Sequence, residues 1–162
     1  MVERRVGNMN RALFTKLSKL IRAGAPCALL LIDLDNLNAQ ELGYLEVDRL
    51  LQRAAKTLTT ESHDPDVVFR YGRDEFAVVL PASTTAEAES IARRICTAVG
   101  QIRVPGSLHP DSQRPAHLVC SVGLARHSEE GQTADDLFAA ALRAMADAKL
   151  VGGGGVVIAG PA

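Results

Sequence analysis

The stretch that most limits how this chain can fold is Val67-Val68-Phe69-Arg70-Tyr71-Gly72-Arg73-Asp74-Glu75-Phe76-Ala77-Val78-Val79-Leu80. Two β-rich runs flank a short Gly-containing segment, which reads as a β-hairpin. With Gly72 at the first central position, the spacing predicts a type II′ turn. The tip then carries adjacent carboxylates, Asp74 and Glu75, which repel one another and lose hydration on burial. A fold sets such a pair in water or against a cation. For a lone Asp-Glu the solvated turn is the ordinary reading. A second acidic pair changes the balance: Asp33 and Asp35 end the apolar run Ala28-Leu29-Leu30-Leu31-Ile32. Side chains alternate along a strand, so Asp33 and Asp35 share a face while Leu34 points away. Two acidic strand ends that meet offer oxygen ligands to a hard cation of the Mg²⁺ kind. Strict alternation sends Asp74 and Glu75 to opposite faces, so both serve one site only if the turn distorts the pleat.

A chain of 162 residues is one domain's worth, residues 1–162, with enough apolar surface for a single core. Hydrophobic residues at 47%, charged residues at 23% and a net charge of −1 argue for a soluble globular protein and against disorder. No broad basic field points to nucleic acid. The longest apolar run, residues 26–32, falls far short of the roughly 20 residues of a membrane helix. The N-terminus lacks the apolar stretch of a signal peptide, so the expectation is a cytoplasmic protein. Cys27, Cys96 and Cys120 are odd in number and flanked by apolar residues, as buried free thiols are.

Taken in order, Asn10 is a candidate cap for a helix to about residue 21, with Leu13, Leu17, Leu20 and Ile21 on one face. Residues 27 to about 34 form a central strand, apolar on both faces. Leu45, Leu50, Leu51 and Ala54 stripe a helix ending near residue 59, and residues 61–66 form its exit loop. After the hairpin, Thr84 or Thr85 caps a helix carrying Ala88, Ile91, Ala92, Ile95 and Val99. A short strand at residues 102–104, a Pro/Gly/Ser-rich loop at 105–115 and a strand at 117–125 follow. The last helix, about residues 133–151, is stopped by glycines before a final strand at 156–158. Helices alternating with four or five strands predict an α/β (α+β) sandwich, a mixed sheet with helices packed on it.

Arg70-Tyr71-Gly72-Arg73-Asp74-Glu75-Phe76 resembles the Arg-Tyr-Gly-Gly-Asp/Glu-Glu-Phe signature of GGDEF domains, the diguanylate cyclases that join two GTP molecules into cyclic di-GMP. Gly7-Asn8-Met9-Asn10-Arg11-Ala12-Leu13-Phe14 is similar to the family's opening Gly-Leu-x-Asn-Arg-x-x-Phe, and Ile32-Asp33-Leu34-Asp35 to its first metal strand. Val119-Cys120-Ser121-Val122-Gly123-Leu124-Ala125 and Ala146-Asp147-Ala148-Lys149 match a later strand and the last helix. The resemblance runs from about residue 7 to 157 and implies a palm-like fold. It also implies a two-metal site for Mg²⁺ or Mn²⁺ at Asp33, the Leu34 carbonyl and Asp74, with Glu75 as a further metal or general-base carboxylate. Gly72, Arg73, Asn38, Asp48 and Lys149 fall at nucleotide-binding positions.

The departures fall on cations. Arg73 replaces the second signature glycine, where backbone passes close to phosphates. Asn38 stands at a phosphate-facing Lys, and a two-residue gap beside it removes the guanine-binding Asn, while Asp48 keeps the guanine-edge acceptor. Gly152-Gly153-Gly154 stands where Gly-Arg-Asn follows the helix lysine. The product-inhibition motif Arg-x-x-Asp is reduced to His63 and Asp66. Charge neutralisation supplies most of phosphoryl-transfer catalysis. The favoured reading is therefore a degenerate, weak or inactive cyclase that binds Mg-GTP or a related nucleotide as a regulatory module. The alternative is an active diguanylate cyclase with Arg73 adapted to the phosphates, working as a homodimer. A receiver-type phosphoacceptor would need an acidic pair ahead of the first strand, and only Glu3 is there.

Overall fold

A strand apolar on both faces is stable only with cover above and below it. Cys27–Asp35 (β1) has that cover: residues 27–34 are buried, and β1 is the middle strand of a five-stranded sheet. The computed structural model describes residues 2–35, 37, 39–64, 67–108, 115–127 and 132–160. Around β1 the chain runs α1 (Val2–Arg22), α2 (Ala39–Leu42), α3 (Tyr44–Ser62), β2 (Val68–Arg70), β3 (Glu75–Pro81) and α4 (Thr85–Val99). There follow β4 (Arg103–Leu108), β5 (Pro115–His117), β6 (Val119–His127), α5 (Ala134–Leu150) and β7 (Val156–Ile158). The sheet order is β2-β3-β1-β6-β7, antiparallel except for the β6–β7 pair, and β4 and β5 form a separate two-stranded ribbon. This is the mixed α/β sandwich that the alternation of elements predicts.

The alternation of β1 divides the core in two. Ala28, Leu30, Ile32 and Leu34 pack with Leu50 and Leu58 of α3 and Ile95 of α4. Leu29 and Leu31 pack with Leu13 and Leu17 of α1 and with Leu137 and Met145 of α5. By the same alternation Asp33 and Asp35 emerge on the α1/α5 side. Thr84 and Thr133 each form a reciprocal capping box, with Glu87 and Asp136, which sets where α4 and α5 begin. Among the described residues no helix is long and apolar enough to cross a membrane.

Several expectations are corrected. Asn10 lies inside α1, which starts a full two turns earlier, so it does not cap the helix. Leu45 is 76% exposed, and Val47 and Leu58 join the packing face of α3 instead. The exit loop begins later than residue 61, because α3 runs to Ser62. The loop foreseen from residue 105 is a strand as far as Leu108, because β4 pairs with β5. The strand foreseen at 117–125 is split into β5 and β6. The cysteines are free thiols, yet the fold brings Cys96 and Cys120 to a sulfur separation of 3.6 Å.

Gly123 sets the distance between α5 and the sheet. A Cβ there would collide with the Ala141 carbonyl oxygen and the Met145 backbone nitrogen, neither of which can swing aside. Gly123→Ala should therefore cost about 1–3 kcal/mol of stability as an overpacked contact. Denaturant titration checks this, and an unchanged midpoint would contradict the close approach.

Candidate active site

The hairpin pairs through Arg70↔Phe76, after which the Tyr71 and Gly72 amides both donate to the Glu75 carbonyl, at 3.1 and 3.3 Å. Gly72 lies outside the left-handed region. The turn is thus not type II′, which needs a positive φ at that position. Its glycine serves a different need, since a Cβ would strike the Glu75 side chain, whose own Cβ would be 2.8 Å away. Arg70 holds the turn from within: Nε donates to the Gly72 and Arg73 carbonyls at 3.2 and 3.1 Å, and Nη2 also donates to Arg73. Asp74 sits in the bend just before β3, where its carbonyl accepts from the Leu34 amide at 3.0 Å. Asp74 thus leaves the pleat ahead of β3, and both it and Glu75 feel the charges of Asp33 and Lys149.

At the end of β1, Asp33 is 7% exposed and lies opposite Glu75 on one side and Ser121 on the other. Lys149, in the last turn of α5, donates to Asp33 Oδ2 at 2.5 Å and lies 3.8 Å from Asp35 Oδ1. Asp35 Oδ2 accepts from the buried Ser121 hydroxyl at 2.9 Å, and Ser121 Oγ accepts from the Gly154 amide at 3.3 Å. Gly152, Gly153 and Gly154 all have positive φ. A Cβ on Gly153 would sit 3.2 Å from Asp35 Oδ2. The glycine turn is therefore seated on the acidic strand end, and a side chain at 153 would be both strained and crowded.

The electrostatics follow from this crowding. Burial, then the Asp33 charge, pushes the Asp74 and Glu75 carboxyls above the usual carboxylate range. The hydrogen bond to Asp33 holds the Lys149 ammonium above its ordinary pKa. Burial, then Glu75, raises the Tyr71 phenol, whose ring meets Phe138 edge-on at 5.5 Å. Oxygen donors with surplus negative charge suit a hard dication. Among the described residues no three metal-ligating side chains form a ready-made cage. That is ordinary for Mg²⁺, which takes one or two carboxylates and completes its shell with water and substrate phosphates.

Asp33, Leu34, Gly72, Asp74, Glu75 and Lys149 thus come together. Arg73 stands at the rim with its Cζ 5.6 Å from the centroid of the Tyr44 ring. Asp48 is exposed one turn further along α3, on the Tyr44 side. His63 caps the opposite end of α3 in a left-handed conformation, φ 63°. Asn38 and Asp66 lie outside the described residues. Sequence reasoning assigned no role to Arg70, Ser121 or Tyr44. Ser121 lies in a strand that matches the family pattern, and Tyr44 follows the glycine that opens α3, but nothing local reveals their partners.

The sequence profile of the family described as "Diguanylate cyclase, GGDEF domain" matches residues 6–154. The chain belongs to the GGDEF domain family. Diguanylate cyclase DgcM from Escherichia coli K12 is 32% identical over 113 residues, covering 68% of this GGDEF domain's chain and 25% of DgcM. The chain thus spans about a quarter of the length of that relative. The GGDEF domain of TpbB (YfiN) from Pseudomonas aeruginosa superposes with a TM-score of 0.74 at 27% identity, over 97% of this chain and 94% of that one. The GGDEF domain of DgcB from Caulobacter crescentus, crystallised in complex with c-di-GMP, shares the fold with a TM-score of 0.76 at 19% identity, over 93% and 87%.

The raised carboxyl of Asp74 has a stability consequence. A folded pKa above the unfolded value means that ionisation is harder in the fold, so the charged form weakens stability at neutral pH. Asp74→Asn should raise the melting temperature of the metal-free GGDEF domain at pH 7. The gain should shrink as pH falls through the folded pKa toward the unfolded one, about 3.9, where the parent is itself protonated. Melts across that range check it; a variant less stable than the parent at pH 7 would show that the carboxylate is held by favourable partners.

Proposed function

We propose that this GGDEF domain binds Mg-GTP or a related guanine nucleotide as a regulatory module, and that it is weak or inactive as a diguanylate cyclase. One observation carries the reading: the acidic centre is assembled, while the cation beside it is engaged and the next cationic position is taken by a left-handed glycine. Lys149 is held by Asp33 and Asp35, and Gly153 takes a left-handed conformation that strains any side chain, with a Cβ there crowding Asp35 at 3.2 Å.

Asp33, Asp74 and the Leu34 carbonyl would hold Mg²⁺ or Mn²⁺. Such an ion offsets phosphate charge and acidifies an attacking hydroxyl when bound. The remaining roles belong to the chain. Gly72 brings backbone close to the phosphates, Asp48 accepts from a guanine edge, and Glu75, its pKa raised by burial, is the carboxylate proposed to take the proton. Cyclisation would require a second copy of the domain presenting its own GTP. DgcM carries the name diguanylate cyclase and DgcB binds c-di-GMP. For this chain the product contact is proposed to be weak, because His63 replaces an arginine fork. The specific observation favouring the alternative, an active cyclase, is Arg73, whose guanidinium has no ion pair among the described residues.

The test incubates purified protein with GTP and Mg²⁺, separates the products and measures GTP binding by calorimetry. The reading expects saturable GTP binding with little or no cyclic di-GMP. Appreciable turnover to cyclic di-GMP, abolished by Glu75→Gln, would establish the active alternative instead. Absence of any guanine-nucleotide binding would reduce the domain to a scaffold.

A further inference from the structure

Arg73, which stands in place of a signature glycine, lies against Tyr44. Tyr44 opens α3 behind Gly43, whose φ of 82° turns the chain into the helix, with open space where a Cβ would stand. Tyr44 is 72% exposed, too exposed to be a core residue, yet its ring lies beneath the Arg73 guanidinium at 5.6 Å. The contact joins α3 to the hairpin tip across the rim of the acidic centre.

The other cations at this rim are occupied. Arg70 spends its donors on the Gly72 and Arg73 carbonyls, and Lys149 spends its ammonium on Asp33 and Asp35. Arg73 makes no ion pair among the described residues. A cation–π contact engages the guanidinium without using its N–H donors in hydrogen bonds, which leaves them for a second partner. A fork held beside carboxylates that suit a dication is complementary to a polyphosphate, which binds both. Arg73 takes one face of the ring, and comparison of GTP with GMP separates this role from base stacking on the other.

We propose that Tyr44 is a positioning residue that holds Arg73 with its donors open to the terminal phosphates of a nucleoside triphosphate. Together the two replace the phosphate cations missing at Asn38 and Gly153. This rests on the nucleotide-binding reading above and adds selectivity for triphosphate over monophosphate.

Calorimetry with GTP and with GMP, each with Mg²⁺, on the full chain and on Tyr44→Ala, Tyr44→Phe, Arg73→Ala and the double alanine variant tests the assignment. Arg73→Ala should weaken GTP about tenfold or more, as loss of a charge-assisted contact does, and leave GMP unchanged. Tyr44→Ala should weaken GTP about two- to fivefold with GMP unchanged, whereas Tyr44→Phe, which keeps the ring, should match the parent. The double variant should bind no more weakly than Arg73→Ala, since Tyr44 acts through Arg73. Equal weakening of GTP and GMP by Tyr44→Ala would overturn the proposal in favour of base stacking, and no effect on either would remove Tyr44 from the site. A parent that binds neither nucleotide defeats the nucleotide-binding reading itself, an outcome distinct from both.

Discussion

A buried strand that ends in carboxylates governs this molecule. β1 is enclosed on both faces for eight residues and paired on both edges, so its direction is set by the whole core. Where it emerges, Asp33 is still almost fully covered, and a buried carboxylate without a partner is costly. Lys149 answers that charge from the last turn of α5, where a cation also complements the helix dipole. Lys149 is itself partly exposed, so the pair adds little net stability. Its importance is that removing one partner leaves the other charge uncompensated. The position of α5, and with it of Lys149, depends in turn on Gly123 admitting the helix backbone to the sheet.

Much of this was legible in the sequence, because the strongest signals are local. The doubly apolar run at residues 28–32, the Thr84 cap and the hairpin all have periodic or compositional marks that survive without a partner. The errors arose where tertiary structure overrides a local rule. Gly72 looked like a residue chosen for its φ, whereas it is chosen for the absence of a Cβ beneath Glu75. Asn10 looked like a cap because capping residues resemble any polar residue ahead of an apolar stripe. Leu45 fits a helical stripe by spacing and still faces solvent. The Lys149–Asp33–Asp35–Ser121 network joins residues 86 or more positions apart, and no window of sequence contains it. Carbonyl anchoring by Arg70 was equally hidden, since an arginine in an acidic turn reads first as an ion-pair partner.

The glycine turn after α5 gives the departures from the family pattern a physical form. Three consecutive positive-φ residues let the chain reverse onto Asp35 and Ser121, and the Gly154 amide satisfies the serine. A cation at position 153 is thereby exchanged for a compact turn. The site is left richer in acids, and burial, then the Asp33 charge, raises the carboxyls of Asp74 and Glu75. Such a centre favours a dication over a bare anion. An anionic nucleotide should then enter with its metal or with help from a cation at the rim, and Arg73 is placed to supply it.

The decisive measurement is GTP affinity with Mg²⁺ and with chelator, for the parent and for Asp33→Asn. If the acidic centre is the seat of nucleotide binding, Mg²⁺ should tighten GTP about tenfold or more in the parent, about 1.4 kcal/mol, and change it little in the variant. Equal affinity of the parent with Mg²⁺ and with chelator, unaltered by Asp33→Asn, would contradict the account and place any nucleotide elsewhere on the domain.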